Sequence, residues 1–335
     1  MAAIAIYQNK TAEGKECVFG FRLTSIRAKR SGVDPAHLIF RHQLALSSFI
    51  NLLYDPERDI TYCLRYIIEP DQQTYSMGDI EIAFLVKIVL TDASKDARME
   101  VNRLAGVLKP LMGSSFEDYS WKQIDDNNEL QQFMNPIQWQ NSHFAEIRRR
   151  EEKIQLGTLL PQRPVGFMQP CESDAEDKPK LINYVHPYVT PIQGFPRILK
   201  SLLQSSGKTI LTTLLKPTVF SEKEKQQLSE QIAYCEESAR RDDSTMEIHR
   251  IRVNTLIDGL LRQFLTLQDA PFYLTFTVAS ESALDRINLE MIGLGLTEPI
   301  GKYGGSDTST MHVGGSDVVR PEILSEHKIL FENML

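Results

Sequence analysis

The sequence predicts a mixed α/β (α+β) protein of two related lobes, each a small mixed sheet covered by helices, with a long helical hairpin inserted in the second. Three observations predict it. Period-two runs of β-branched and aromatic residues mark strands in both halves, period-3.6 apolar stripes mark the helices beside them, and one order of elements occurs twice. A length of 335 residues exceeds the usual single core, which fits two lobes.

The first lobe spans 1–163. Strands over 3–8 and 16–24 form a hairpin through the polar loop QNKTAEGK. A helix from about His37 to Leu53 aligns Ile39, Leu46, Phe49, Ile50 and Leu53, and DPERD ends it as a turn. The strand ITYCLRYII puts Ile60, Tyr62, Leu64, Tyr66 and Ile68 on one side and stops at Glu69-Pro70, where proline removes a ladder donor. Strand 79–91 alternates Ile80, Ile82, Phe84, Val86, Ile88 and Leu90. It feeds a helix from about Lys95 with Ala97, Val101, Leu104, Ala105 and Leu108 in a stripe.

The stretch 164–180, PVGFMQPCESDAEDKPK, mixes proline with acidic residues and reads as a linker. The second lobe, 181–335, repeats helix, strand, connection, strand, helix. FPRILKSLLQSS carries Ile198, Leu199, Leu202 and Leu203, turns at Gly207-Lys208, and enters the strand TILTTLLKPT. FYLTFTVAS then alternates Phe272, Leu274, Phe276 and Val278 before a helix with Leu284, Ile287, Met291 and Leu294 as its stripe. Ala93-Ser94 and Ala279-Ser280 sit at equivalent junctions. Between these strands, 219–270 reads as two helical arms. Ser221 and Glu224 have capping-box spacing, Leu228, Ile232, Cys235 and Ala239 line the first arm, RRDDST breaks it, and Val253 to Phe264 line the second. The tail 301–317 holds Gly-Gly-Ser-Asp twice and reads as turns around a short strand or a mobile loop.

Composition narrows the function classes. A balance of 42% hydrophobic and 24% charged residues is that of a soluble globular protein, and a net charge of -7 argues against wrapping nucleic acid over the whole surface. The N-terminus lacks a signal-peptide pattern, no window reaches 18 consecutive apolar residues, and the cytoplasm is the expected compartment. Cys17, Cys63, Cys171 and Cys235 lie far apart without CxxC spacing, so neither zinc nor a structural disulfide is expected.

One stretch resembles a nucleotide motif. QSSGKTI, 204–210, supplies the end of GxxxxGK[ST] through Gly207, Lys208 and Thr209, but the required first glycine would be position 202, which is Leu202. A P-loop also runs from strand to helix, whereas here a helix precedes and a strand follows. The stretch is therefore expected to be a structural joint, the counterpart of DPERDI in the first half. SGVDP at 31–35 and GKYGGSDTS at 301–309 read as loops. No histidine pairs at helical spacing with another metal ligand, His42 reads as a boundary or surface residue, and Ser205 and Ser206 lack a nucleophile elbow. No catalytic, metal or cofactor residue is assigned.

Basic residues remain as candidate interaction positions. RAKR occupies 27–30. Arg148, Arg149 and Arg150 run into Glu151 and Glu152, which predicts paired charges on a solvated helix. Arg240, Arg241, Arg250 and Arg252 flank the hairpin tip, where their planar forks suit carboxylates on another subunit.

The succession RYIIEP, DIEIAFLVKIVLTDASKDARMEVNRLAGVL, PIQWQNSHFAEIRRREEKI, ILTTLLKPTVFSEKEKQQL and PFYLTFTVAS resembles the N-terminal, non-motor part of bacterial HerA/FtsK-superfamily ATPases, related to conjugation and type IV secretion motors. In that family this region precedes a RecA-like motor and serves assembly, partner contact or substrate entry in a hexameric ring. This chain contains no Walker A and reaches LFENML about where a motor would begin, so no ATPase residue carries over. The resemblance implies a non-catalytic assembly or interaction module of a DNA-translocase-like or antiphage-defence ATPase complex, with a homo-oligomer or a motor as partner and any nucleic acid contacted indirectly. A nucleotide- or nucleic-acid-processing enzyme with a site between the lobes is the alternative.

Overall fold

The computed structural model describes residues 4–11, 14–26, 48–71, 78–91, 96–138, 141–149, 151–155, 181–185, 194–241, 247–269, 271–296, 310–313 and 316–319. The expected linker 164–180, the loops at 27–35 and 301–309, the start of the first helix with His42, the Ala93-Ser94 junction, Arg150 and Cys171 lie outside these residues. The chain divides into two compact units, one of Met1–Arg148, Tyr188–Thr218 and Phe272–Leu335, the other of Arg149–Pro187 and Val219–Pro271.

The larger unit is organised on one ten-stranded sheet. Its strands are β1 (Tyr7–Thr11), β2 (Gly14–Ile26), β3 (Ile60–Pro70), β4 (Gly78–Leu90), β5 (Tyr119–Gln123) and β6 (His143–Arg149). After β7 (Glu151–Gln155) and β8 (Leu181–Val185), which pair apart from the sheet, come β9 (Thr209–Pro217), β10 (Phe272–Ser280), β11 (Thr310–Val313) and β12 (Ser316–Val319). The order across the sheet is β1-β2-β4-β3-β9-β10-β6-β12-β11, with β5 also on β2. Both β1 and β5 use the same edge of β2, β1 along Gly14–Val18 and β5 along Phe21–Ile26.

The expectation of two small sheets is corrected by this topology. Strands β3 and β9, one from each half of the sequence, pair antiparallel from Tyr62↔Leu215 to Ile68↔Thr209, so the halves share a sheet. The physical reason is that each half offers an edge strand largely buried on both faces, and pairing the two edges satisfies backbone groups that neither half satisfies alone. The repeated order survives within this sheet: β3 and β4 form one hairpin, β9 and β10 another, and the two meet edge to edge.

Residues opposite each other in the ladders share a face. On one face, Ile60, Tyr62, Phe84, Val86 and Ile88 pack under α1 (Ala97–Ser115) and the helical turn 48–52, through Val101, Ala105, Leu108, Phe49 and Leu53. Farther along the same face, Ile68, Leu211 and Val278 pack under α3 (Gly194–Leu203) and α6 (Arg286–Leu296), through Ile198, Leu202, Leu289 and Ile292. The helices before and after each hairpin thus lie on one face, related by an approximate twofold between β3 and β9. The expected stripe is half borne out, since Leu284 and Leu294 pack on this core; between them it is corrected, with Leu289 and Ile292 buried while Ile287 and Met291 are 66% and 37% exposed. RINLEMIGLGL is apolar on several sides, so periodicity alone does not select the inward one.

The opposite face is covered by α2 (Asn127–Met134), which the sequence reading did not identify. Asp126 caps it, its carboxylate accepting from the Asn128 amide at 3.1 Å. Leu130, Phe133 and Met134 pack on Cys63, Ile67, Leu85, Ile210 and Leu214.

The smaller unit holds α4 (Glu222–Arg241), α5 (Glu247–Asp269) and the β7/β8 pair. Ser221 and Glu224 form the reciprocal capping box, with Ser221 N to Glu224 Oε2 at 2.9 Å and Glu224 N to Ser221 Oγ at 3.3 Å. Leu228, Cys235, Val253, Leu256 and Leu260 make the core between the helices. Phe220, just before α4, meets Phe264 near the end of α5 with ring centroids 5.9 Å apart, so the helices run antiparallel.

Candidate functional site

The QSSGKTI stretch, first in line for chemistry, is a hydroxyl-stitched joint between α3 and β9. Ser205 Oγ donates to the Leu202 carbonyl at 2.7 Å, tying the turn to the last helical residues. Thr209 Oγ1 lies 2.7 Å from Ser205 Oγ, 2.9 Å from the Gly207 carbonyl and 2.9 Å from Ser280 Oγ on β10. Ser280 Oγ in turn stands 3.2 Å from Ser282 Oγ and accepts from the Ser282 amide at 3.3 Å. Thr209 and Ser280 are buried, and these mutual bonds occupy groups that a phosphate would need.

Gly207 has a packing reason. A Cβ there would meet the Ser282 side chain at 3.2 Å, so the turn lies against the β10–α6 junction. Lys208 points elsewhere, its ammonium 2.5 Å from Glu69 Oε1, on the residue after Ile68, the β3 partner of Thr209. Leu202, in the place of the first P-loop glycine, is 2% exposed in the core under α3. The joint therefore sews three elements together: α3, the β9/β10 ladder and the end of β3.

On the other face a polar row crosses the sheet: Arg22, Arg65, Thr212, Thr277 and Glu146, in register through Ala83 of β4. Arg65 is its centre and is 1% exposed. Its Nη1 donates to the carbonyls of Phe133 and Met134 at 2.8 and 2.6 Å, and its Nε to Thr212 Oγ1 at 3.3 Å. The last carbonyls of a helix lack intrahelical donors and carry partial negative charge, so a guanidinium fork satisfies them in chemistry and in field. Burial pulls the Arg65 pKa down from its usual value. The same burial pushes the Cys63 thiol up, and the neighbouring guanidinium partly offsets this. At the other end of α2, Glu129 meets Arg22 at 2.8 Å.

The basic candidates are distributed differently. Arg148 and Arg149 end strand β6, which corrects the expected solvated helix; Glu151 begins β7. Pairing of β6 with β10, from His143↔Ser280 to Ile147↔Phe276, overrides the helix propensity of a Glu- and Arg-rich segment. Arg240 and Arg241 end α4, while Arg250 and Arg252 lie in the first turns of α5. The chain termini of the two helices bring these four to one end of the hairpin.

Among the described residues no three His, Cys, Asp or Glu side chains group as metal ligands, and no helix is long and apolar enough to cross a membrane. Cys17, Cys63 and Cys235 are buried free thiols. What the smaller unit does present is apolar surface: Leu261 and Leu265 on α5 are 39% and 60% exposed. No family model and no curated protein matches this chain.

Proposed function

We propose that the chain is a non-catalytic assembly module of a cytoplasmic, DNA-translocase-like or defence-associated ATPase complex, mediating oligomerisation or docking of a motor partner. The observation that carries this reading is the outward apolar surface of α5, where Leu261 and Leu265 stand one helical turn apart and are 39% and 60% exposed. On this reading the two leucines are where another protein packs. Arg240, Arg241, Arg250 and Arg252 at the hairpin end supply planar donors for carboxylates on that partner. The resemblance to the non-motor region of HerA/FtsK-superfamily ATPases supplies the kind of complex.

The closed hydroxyl network at Thr209 and the Lys208–Glu69 pair speak against a nucleotide site at the one segment that resembles one. Calorimetric titration with ATP, GTP and single-stranded DNA tests this: the expected result is no saturable heat for either nucleotide. Tight binding that disappears in Lys208→Ala would overturn the reading in favour of an enzyme.

A further inference from the structure

The chain leaves the larger unit after Thr218 and returns to it at Phe272, and the α4/α5 hairpin runs between these two points. The root of the hairpin is the open end of the β9/β10 ladder, whose last register pair is Pro217↔Phe272. This end is short of donors. Pro217 has no N–H to offer its partner, and in continued register Thr218 would face Pro271, which has none either. On the other side of β9 the ladder with β3 already stops at Tyr62↔Leu215. Neither ladder therefore brings a backbone amide to the carbonyl of Thr218, a half-buried residue whose acceptor needs a partner.

One side chain from the first half of the sequence fills the gap. Tyr54 donates its hydroxyl to the Thr218 carbonyl at 2.8 Å, and its ring meets the Phe272 ring edge-on, with centroids 5.7 Å apart and planes at 68°. It thus touches both strands, one where the chain departs and the other where it comes back. Tyr54 is itself tied down. Its amide donates to the Asn51 carbonyl at 3.2 Å, and the preceding carbonyl, that of Leu53, accepts the Tyr62 hydroxyl of β3 at 3.1 Å. Later in the same turn Asp59 lies 2.7 Å from Lys216, but both side chains are more than a third exposed, so this pair adds little.

We propose that Tyr54 is the clasp of the hairpin root. It holds the ends of β9 and β10 together, and its release lets the root open while the ladder from Thr209 to Lys216 stays paired. The freedom of the hairpin is then set by a residue 164 positions before Thr218 in the sequence. This goes beyond the assembly reading and does not depend on what meets α5.

The test is hydrogen–deuterium exchange of the full chain and of Tyr54→Phe, read by mass spectrometry of peptides. The substitution keeps the ring and removes the donor. Peptides over 216–221 and 272–275 are expected to exchange about two- to tenfold faster, the shift in local opening that one hydrogen bond supplies. Peptides from β4 and from the hairpin core, 228–235 and 253–260, are expected to keep their rates. Tyr54→Ala, which removes the ring as well, is expected to speed the two root peptides further. Unchanged exchange at the root in Tyr54→Phe would overturn the clasp. So would an equal acceleration in β4 and the hairpin core, because a contact that serves only global stability speeds all of these peptides together.

Discussion

Arg65 and Met134 stand as donor and acceptor 2.6 Å apart, joining the middle of a ten-stranded sheet to the C-terminus of α2. A single guanidinium also reaches the Phe133 carbonyl, so one side chain closes the last turn of the helix that covers this face. Substituting Arg65→Met keeps much of the volume and removes the donors. The buried carbonyls then lose their charged partner, and urea unfolding should show a loss of about 2–4 kcal/mol. Arg65→Lys, which lacks the planar fork, should recover only part of it.

At the α3–β9 joint the expected order of effects is opposite to that of a nucleotide site. Thr209→Val preserves shape but removes a buried hydroxyl shared by Ser205 and Ser280, and should cost about 1–3 kcal/mol in denaturant unfolding. Lys208→Ala breaks an ion pair whose Glu69 side chain is 59% exposed, and should cost less than about 1 kcal/mol.

Alkaline titration offers an independent check on the core beneath α1. Tyr62 donates its hydroxyl to the Leu53 carbonyl at 3.1 Å, and burial, aided by Asp55, pushes its pKa up from 10.0 to about 12. The neutral form is thus favoured in the folded protein. Between these two values the unfolded chain has released a proton that the folded chain retains, so stability falls as pH rises across this window. Tyr62→Phe should flatten that fall by one proton's share, measured as the slope of unfolding free energy against pH.

Gly14 begins β2 with φ at +150°, and a Cβ there would run into the Leu90 carbonyl of the neighbouring strand. Gly14→Ala should therefore lower the thermal midpoint. The loss should exceed the roughly 0.5–1 kcal/mol by which glycine and alanine ordinarily differ in a strand, because backbone and not a flexible side chain blocks the new methyl.

The hairpin strands were legible because their alternation is long and one face meets helices: Ile60 to Ile68 and Ile80 to Leu90 lie on the side the pattern assigns. The pairing of β3 with β9 was not, since a period-two pattern says which face of a strand is buried and carries no information about the neighbour at its edge. The joint at QSSGKTI was legible because Leu202 and the element order contradict a P-loop on stereochemical grounds. Strand β6 was hidden by helix-favouring Arg and Glu, which a ladder with β10 overrules. Arg65 carried an unused signal: Cys63, Arg65 and Ile67 point to the same side of an otherwise apolar strand, so a lone cation among them faces inward and needs a partner.

The most direct test of the assembly claim is the solution mass of the intact chain beside that of a chain lacking 221–267. A multiple of the 38.2 kDa protomer is expected for the first and a single protomer for the second. The same oligomeric state in both would contradict it.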